Sequence, residues 1–419
     1  MRSPRGGLLR TQGRESLAPG GPELPHLSAG RAPSPAPCQA APHRTERLDD
    51  HGRRGGVPGP TLRRALPDHP HRRDDVPARG RDARSAPVNA PRPRWQPPAS
   101  GVIRGCWQLS RGHGPGWGRD RAFAALDVAA AQPGPLYLDC ADIYTGVEAL
   151  LGEWMASRGV TREKVVVHTK FVPDLGVLPR IDRGYVRGIV ERSRDRLGVD
   201  ALELVQYYWW DRAVPGWIQA AEWLAELREE GVVRHIGVTN LDPDALGTLL
   251  DAGIPVVSNQ VQLSLLDRRP LAGLEAFCMD SGVALLCYGT LAGGLLSAST
   301  GPESRSLTKY RLIADEVGGA TVLRRARAVL GDIAAREGAE MADVAAAYAL
   351  GQAAVAAVIV GLSRRGLTVD PGAVRLGRRD MERLDAAVPT TVPGAVYAAE
   401  QDRAGPHGRI MRYDLNRER

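Results

Sequence analysis

The sequence predicts an α/β chain: a (β/α)8 TIM barrel preceded by a disordered N-terminal segment rich in arginine and proline. From about residue 101, short apolar runs alternate with helix-length amphipathic segments, and eight such units fit in the chain. Strands followed by helices in regular alternation indicate parallel strands joined by crossovers. Neither of the glycine-rich nucleotide fingerprints GxGxxG and GxxxxGK occurs. A closed barrel is therefore favoured over an open doubly wound sheet.

The predicted strands are nearly continuous in apolar residues, which is typical of strands buried on both faces. In chain order they are Val102–Leu109, Leu136–Asp142, Lys164–Val172, Glu203–Trp209, Arg234–Asn240, Pro255–Leu263, Val283–Gly289 and Val355–Gly361. Helical patterns lie between them, for example Ile218–Glu230, which Gly231 ends. Because the chemistry of such barrels lies at the C-terminal ends of the strands, candidate residues are sought there.

Residues 1–98 differ in composition from the rest of the chain. They hold 18 arginines, 9 carboxylates and 18 of the 32 prolines. Such a segment buries too little apolar surface to offset its conformational entropy, so we expect it to be disordered and dispensable. Residues 99–419 are expected to form the barrel with a C-terminal extension. Trp95 is the only aromatic residue of the segment, which favours no specific nucleic-acid binding.

Cysteine usage and hydropathy predict a cytoplasmic protein with no membrane span. The five cysteines form no CxxC pair and no metal-ligand spacing, which is typical of free thiols in a reducing compartment, and no metal site is expected. The N-terminus has no apolar run of signal-peptide length. Two long uncharged stretches, Ser281–Pro302 and Val344–Ser363, are interrupted by glycines or consist mostly of alanine, so neither is expected to cross a bilayer.

An acid, a phenol and an amine meet at the ends of two neighbouring predicted strands. Asp139 and Tyr144 end the second strand, and Lys170, one of three lysines in the chain, ends the third. A lysine ammonium near a phenol lowers the pKa of that phenol, so we expect a proton-donating relay to a carbonyl oxygen. The alternative is that Asp139 only caps the next helix and Tyr144 packs on it. His168 and His235 lie inside strands and are interpreted as core residues.

This pattern resembles the aldo-keto reductase family, in which Asp-x-x-x-x-Tyr follows the second strand and Lys ends the third. Arg234–Asn240 resembles the family's fifth strand and Asn259–Gln262 its sixth. The resemblance implies a barrel that binds NADPH without a Rossmann domain and transfers hydride to a small-molecule aldehyde or ketone. By the same resemblance Asn240 and Gln260 hold the nicotinamide carboxamide, and Tyr288 stacks on the ring. The implied cofactor-binding set is Thr239, Asn240, Gln260, Tyr288, Gly289, Ser363, Arg364 and Arg365.

Two of these assignments have simpler alternatives. Val360–Arg365 falls where family members bind the adenosine 2′-phosphate, and arginines suit a phosphate. Arg364 and Arg365 are alternatively ordinary solvated charges, because the family's usual Glu-Asn pair does not follow them. Thr239 and Asn240 are alternatively the turn that ends a strand.

Tyr208 departs from the family pattern, which has a histidine after the fourth strand that orients the substrate carbonyl. A phenol still donates a hydrogen bond, but its pKa of about 10 lacks the adaptability of an imidazole. We therefore list Tyr208 with Asp139, Tyr144 and Lys170 as catalytic candidates and expect it to impair turnover, so that Tyr208→His recovers rate. The rival hypothesis is a non-catalytic barrel that senses NADP(H) or binds a partner.

Overall fold

The computed structural model describes residues 95–111, 117–298, 305–362 and 369–411, without the side chains of residues 305 and 306. Within these ranges eight parallel strands close into a barrel in chain order, and β8 pairs with β1. The strands are β1 Val102–Gly105, β2 Leu136–Asp139, β3 Val165–Phe171, β4 Leu202–Tyr207, β5 Val233–Thr239, β6 Val256–Gln262, β7 Ala284–Tyr288 and β8 Val355–Gly361. The predicted (β/α)8 class is confirmed.

Helices follow the strands as crossovers and form the outer layer. They are α1 Arg119–Ala130, α2 Val147–Arg158, α3 Arg183–Leu197, α4 Trp217–Glu229, α5 Pro243–Asp251, α6 Leu274–Ser281, α7 Arg305–Glu316, α8 Gly319–Glu337, α9 Met341–Leu350, α10 Arg378–Ala387, α11 Ala398–Gln401 and α12 Pro406–Arg409. Gly152 lets α2 approach α3 closely, because a Cβ there would collide with the backbone of Arg196. Among the described helices, none is long and apolar enough to cross a bilayer.

The barrel interior is filled by apolar side chains below the functional end. Ile103, Leu204 and Leu286 belong to this inner core. His168 lies in the same interior, 5.9 Å from the ring of Trp95, and burial lowers its pKa to about 4. The placement agrees with the core interpretation of this histidine.

Most of the segment predicted to be disordered, residues 1–94, lies outside the described residues. Trp95 is the first described residue and precedes the predicted boundary at residue 98. It packs against the inner core, so part of the predicted N-terminal segment contacts the barrel. The boundary itself stays a prediction.

Candidate active site

Parallel strand register brings four polar side chains together at the C-terminal end of the barrel. Asp139 on β2 and Lys170 on β3 come from adjacent strands, and Lys170 pairs in register with Gln206 on β4. Gln260 on β6 completes the group, and all four are at least nine-tenths buried. The strand register and the barrel closure therefore bring the four side chains to the same end of the barrel, above the apolar core.

Lys170 is the centre of this group. Its Nζ lies 2.8 Å from Asp139 Oδ2, 2.8 Å from the carbonyl oxygen of Cys140 and 3.4 Å from the Tyr144 hydroxyl. The ammonium therefore contacts a carboxylate and a phenol at once. The three residues predicted to form a relay are adjacent, as their strand positions required.

The second oxygen of Asp139 is held by two amides. Gln206 Nε2 donates to Asp139 Oδ1 at 3.1 Å, and Gln260 Nε2 donates to the same atom at 2.6 Å and to Gln206 Oε1 at 2.8 Å. Both amide hydrogens of Gln260 are thus used inside the protein, so its side chain can offer a ligand only its acceptor oxygen. Gln206 was not predicted from the sequence, although an amide near the end of a mainly apolar strand was a signal for it.

Tyr144 is half-buried, and its pKa is raised well above the usual value, first by burial and then by the charge of Asp139. The expectation that Lys170 lowers this pKa is not met in the free site, because desolvation disfavours the phenolate more strongly. Tyr144 therefore keeps its proton at neutral pH. A protonated phenol in contact with an ammonium is a hydrogen-bond donor for an oxygen placed beside it.

Asn240 and Tyr288 meet across the ends of β5 and β7. The Tyr288 hydroxyl donates to Asn240 Oδ1 at 3.0 Å, and the backbone N–H of Asn240 donates to the Gln260 carbonyl at 2.9 Å. Asn240 has φ +60°, a left-handed conformation that asparagine tolerates. It is therefore the turn residue that ends β5, and its side chain is fixed by Tyr288; its role towards a cofactor stays a prediction.

Unpaired polar atoms lie beside this pair. Thr239 Oγ1 and Thr290 Oγ1 are buried and, among the described residues, have no hydrogen-bond partner. Gly289 has φ +73°, and a Cβ on it would lie 2.7 Å from the Tyr310 hydroxyl, so only glycine fits there. Unsatisfied buried hydroxyls next to a fixed amide and an aromatic ring fit a flat, polar group such as a nicotinamide. Ser363, Arg364 and Arg365 lie outside the described residues.

Tyr208 follows β4 and lies among aromatic rings. Its ring packs edge-on against Trp210 with 4.7 Å between centroids, and Trp210 Nε1 donates to the Pro173 carbonyl at 2.7 Å. Trp209 points away, since it stacks on Tyr207, whose hydroxyl donates to the carbonyl of a helical residue. Tyr208 and Trp210 therefore pack on each other directly after the C-terminal end of β4.

Comparisons with known proteins agree with this architecture. A sequence model described as the Aldo/keto reductase family matches residues 102–387. Protein tas of Escherichia coli is 29% identical over 282 residues, which cover 57% of this chain and 80% of that protein. An aldo-keto reductase of Mycobacterium sp. is 34% identical over 198 residues, 46% of this chain and 64% of that protein.

Two further similarities concern an enzyme and a solved fold. The 2,5-diketo-D-gluconic acid reductase B of Corynebacterium sp. is 31% identical over 176 residues, 41% of this chain and 60% of that protein. The crystal structure of a thermostable aldo-keto reductase in complex with the inhibitor epalrestat superposes with a TM-score of 0.55 at 24% identity, covering 68% of this chain and 94% of that one. Because the family match spans more than half of a chain that folds as the closed (β/α)8 barrel, this protein belongs to the aldo/keto reductase family of oxidoreductases.

Proposed function

We propose that this protein reduces an aldehyde or ketone with NADPH, and that Tyr144 gives the proton to the carbonyl oxygen. The observation that carries the proposal is the position of Lys170 Nζ, within reach of both Asp139 Oδ2 and the Tyr144 hydroxyl. We name Asp139, Tyr144 and Lys170 the proton-donor cluster. In this cluster Asp139 fixes the ammonium, and the ammonium compensates the negative charge left on Tyr144 after proton transfer.

The raised pKa of Tyr144 supports its role as the acid. A group with a pKa well above 7 is protonated before the reaction, and it gives up the proton only when a strongly basic oxygen forms beside it. Lys170 then acts mainly in the transition state, when charge appears on the phenol.

The rim beside this cluster is our proposed nicotinamide site. Asn240 and the oxygen of Gln260 would hold the carboxamide, the ring of Tyr288 would lie against the nicotinamide, and the unpaired hydroxyl of Thr239 would accept or donate to it. A bound nicotinamide supplies the hydride. Gly289 lets Tyr310 pack closely against the chain beside this site, because a Cβ there would lie 2.7 Å from the Tyr310 hydroxyl.

We assign the 2′-phosphate of NADPH to Ser363, Arg364 and Arg365, on their sequence position and charge. Tryptophan fluorescence titrations with NADPH and NADH test this, followed by turnover of a panel of carbonyl compounds. We expect tighter binding of NADPH, and we expect the Arg364→Ala/Arg365→Ala double variant to lose the preference while keeping its NADH affinity. Equal affinities in the unaltered protein would contradict the assignment.

A non-catalytic barrel that senses NADP(H) is the second candidate, and the phenol at Tyr208 in place of the family's histidine favours it. Both functions require cofactor binding, so the carbonyl panel separates them. If the protein binds NADPH but no compound of the panel oxidises that NADPH, the sensor function is supported. We place either protein in the cytoplasm, since the four described cysteines are buried free thiols.

A further inference from the structure

A second phenol lies against Tyr208 and comes from far along the chain. Tyr397 precedes α11, and its ring centroid lies 6.0 Å from that of Tyr208 at an interplanar angle of 87°. A hydrogen bond joins the two side chains. Lys309 Nζ lies 5.5 Å from the centroid of the Tyr397 ring and 5.4 Å from that of Tyr288. Tyr397 therefore borders the proposed nicotinamide site.

The backbone of Tyr397 is held in a costly conformation. Its φ is +63°, in the left-handed region that bulky aromatic residues rarely adopt. Such a conformation persists only where the surroundings fix it, and it often marks a functional position. Glycine adopts this conformation without strain, yet the residue at this position is a tyrosine.

A buried ionic network fixes the chain three residues after Tyr397. Arg269 Nη1 and Nη2 lie 2.9 and 3.1 Å from the two carboxylate oxygens of Glu400, and Arg269 also holds Asp267 through Nε at 2.9 Å and Nη2 at 2.7 Å. Lys309 Nζ lies 3.2 Å from Glu400 Oε1. We name Asp267, Arg269, Lys309 and Glu400 the anchor cluster. It ties the C-terminal segment to the loop after β6 and to α7.

The number of hydroxyl hydrogens limits the hydrogen bonds that Tyr208 and Tyr397 can donate. Each hydroxyl has one hydrogen, so a hydrogen bond between Tyr208 and Tyr397 uses one and leaves one for a third oxygen. Burial raises the pKa of Tyr397, so its hydroxyl keeps its hydrogen at neutral pH. Whichever of the two phenols donates within the pair, the other hydroxyl keeps a hydrogen for that third oxygen.

We propose that Tyr208 and Tyr397 act as one unit, a phenol pair, in which one hydroxyl donates to the other and the remaining hydrogen is donated to the carbonyl oxygen of the substrate. This inference rests on the proposed carbonyl reduction and adds a residue to it. It replaces the expectation that Tyr208 is an impaired substitute for histidine, because two rings share the task of one imidazole. The positive charge of Lys309 strengthens the donor as negative charge grows on the oxygen.

Single and double variants test the pair with benzaldehyde and NADPH. Tyr397→Phe keeps the ring and removes one of the two hydroxyls of the pair. We therefore expect kcat to fall about 10²-fold, as for the loss of one such hydrogen-bond donor. Tyr208→Phe should lose a similar factor, and the double variant should lose no more than the larger single loss. Tyr208→His should also lose rate. Losses that multiply to about 10⁴, or a gain in Tyr208→His, would overturn the proposal.

Tyr348→Phe is the matched control, since it removes a buried phenol whose hydroxyl donates to Asp385 at 2.6 Å on the far side of the helical layer. This control should leave turnover unchanged. If Tyr397→Phe has the same turnover as the control, the phenol pair is refuted. Thermal unfolding of each variant shows that it is folded.

Binding of benzamide, an unreactive carbonyl compound, to the NADP+ complex gives a readout without turnover. Tyr397→Phe should weaken it about 10-fold, whereas Tyr348→Phe should not. An unaltered protein that binds NADPH and benzamide but reduces nothing would refute the proposed function and leave the pair supported. Turnover in the unaltered protein with full activity in Tyr397→Phe would refute the pair alone.

Discussion

Two buried ionic clusters lie at the same end of the barrel, and they differ in their cations. The first cluster has a lysine, and the second has an arginine together with a lysine. In the proton-donor cluster a lysine contacts one carboxylate and, at a longer distance, a phenol. In the anchor cluster Arg269 is bidentate on Glu400 and also bound to Asp267, and Lys309 adds a second cation. The first cluster leaves a side chain whose proton can move. The second uses its charged groups to join segments of the chain.

This difference follows from the chemistry of the two side chains. A guanidinium has a planar fork of donors and is always charged, so it suits rigid links between carboxylates. An ammonium is a compact point charge that stabilises whichever oxygen becomes negative beside it. We therefore expect changes in the proton-donor cluster to reduce turnover, and changes in the anchor cluster to reduce stability.

The largest expected effect is on Tyr144. Tyr144→Phe removes the proposed acid, so turnover of a generic aldehyde should fall by about 10⁴, at the upper end for general acid catalysis. NADPH affinity, measured by tryptophan fluorescence, should stay the same. Tyr137→Phe on β2, whose ring packs near the barrel interior, is the matched control and should keep full rate. If Tyr144→Phe retains a tenth of the turnover, another group supplies the proton.

Lys170→Met tests whether the cation of the proton-donor cluster acts in the transition state. We expect kcat to fall by about 10³ while NADPH affinity changes little, because the ammonium compensates charge that appears only during the reaction. A rise in KM with unchanged kcat would show instead that Lys170 only helps to bind the substrate.

Glu400→Gln tests the anchor cluster. It leaves Arg269 and Lys309 buried with one anion fewer, so we expect the free energy of unfolding to fall by about 3 kcal/mol. Chemical denaturation measures this. Glu382→Gln, which breaks an exposed ion pair with Arg378 at 2.8 Å, is the control and should cost under about 1 kcal/mol. Equal stability of the two variants would show that the cluster does not anchor the C-terminal segment.

The pH dependence of unfolding gives a second measurement of Glu400. Burial raises its pKa, but the charges of Lys309 and Arg269 outweigh this and lower the pKa to about 2 from an ordinary value of 4.5. Between these values the folded chain binds fewer protons than the unfolded one, so stability falls as the pH falls. The contribution of Glu400 is complete above about pH 5 and is lost towards pH 2. Glu400→Gln should flatten this part of the curve.

The smallest expected effect concerns the start of the folded unit. A chain that begins at Trp95 should keep the stability and NADPH affinity of the full chain. A chain that begins at Ala99 loses the packing of Trp95 on His168, and we expect it to be less stable by about 2 kcal/mol. Thermal unfolding of both chains measures the difference. Identical unfolding temperatures would place the boundary at residue 98, where the sequence predicts it.

Local patterns in the sequence determined the barrel and the position of the proton-donor cluster. All eight predicted strands overlap observed ones, since an apolar run between two amphipathic helices has few alternatives. Asp139 and Lys170 were placed together because consecutive parallel strands end at the same edge of the barrel. Their contact depends only on strand order, which the chain itself sets.

Only the tertiary structure decided how polar atoms are paired and which distant segments meet. Gln206 and Gln260 share one oxygen of Asp139 because the barrel closes around them, and strand order alone does not assign a donor to an acceptor. Arg269 and Glu400 are 131 residues apart. No periodic pattern links such positions, because their contact depends on the path that the C-terminal segment takes across the finished barrel.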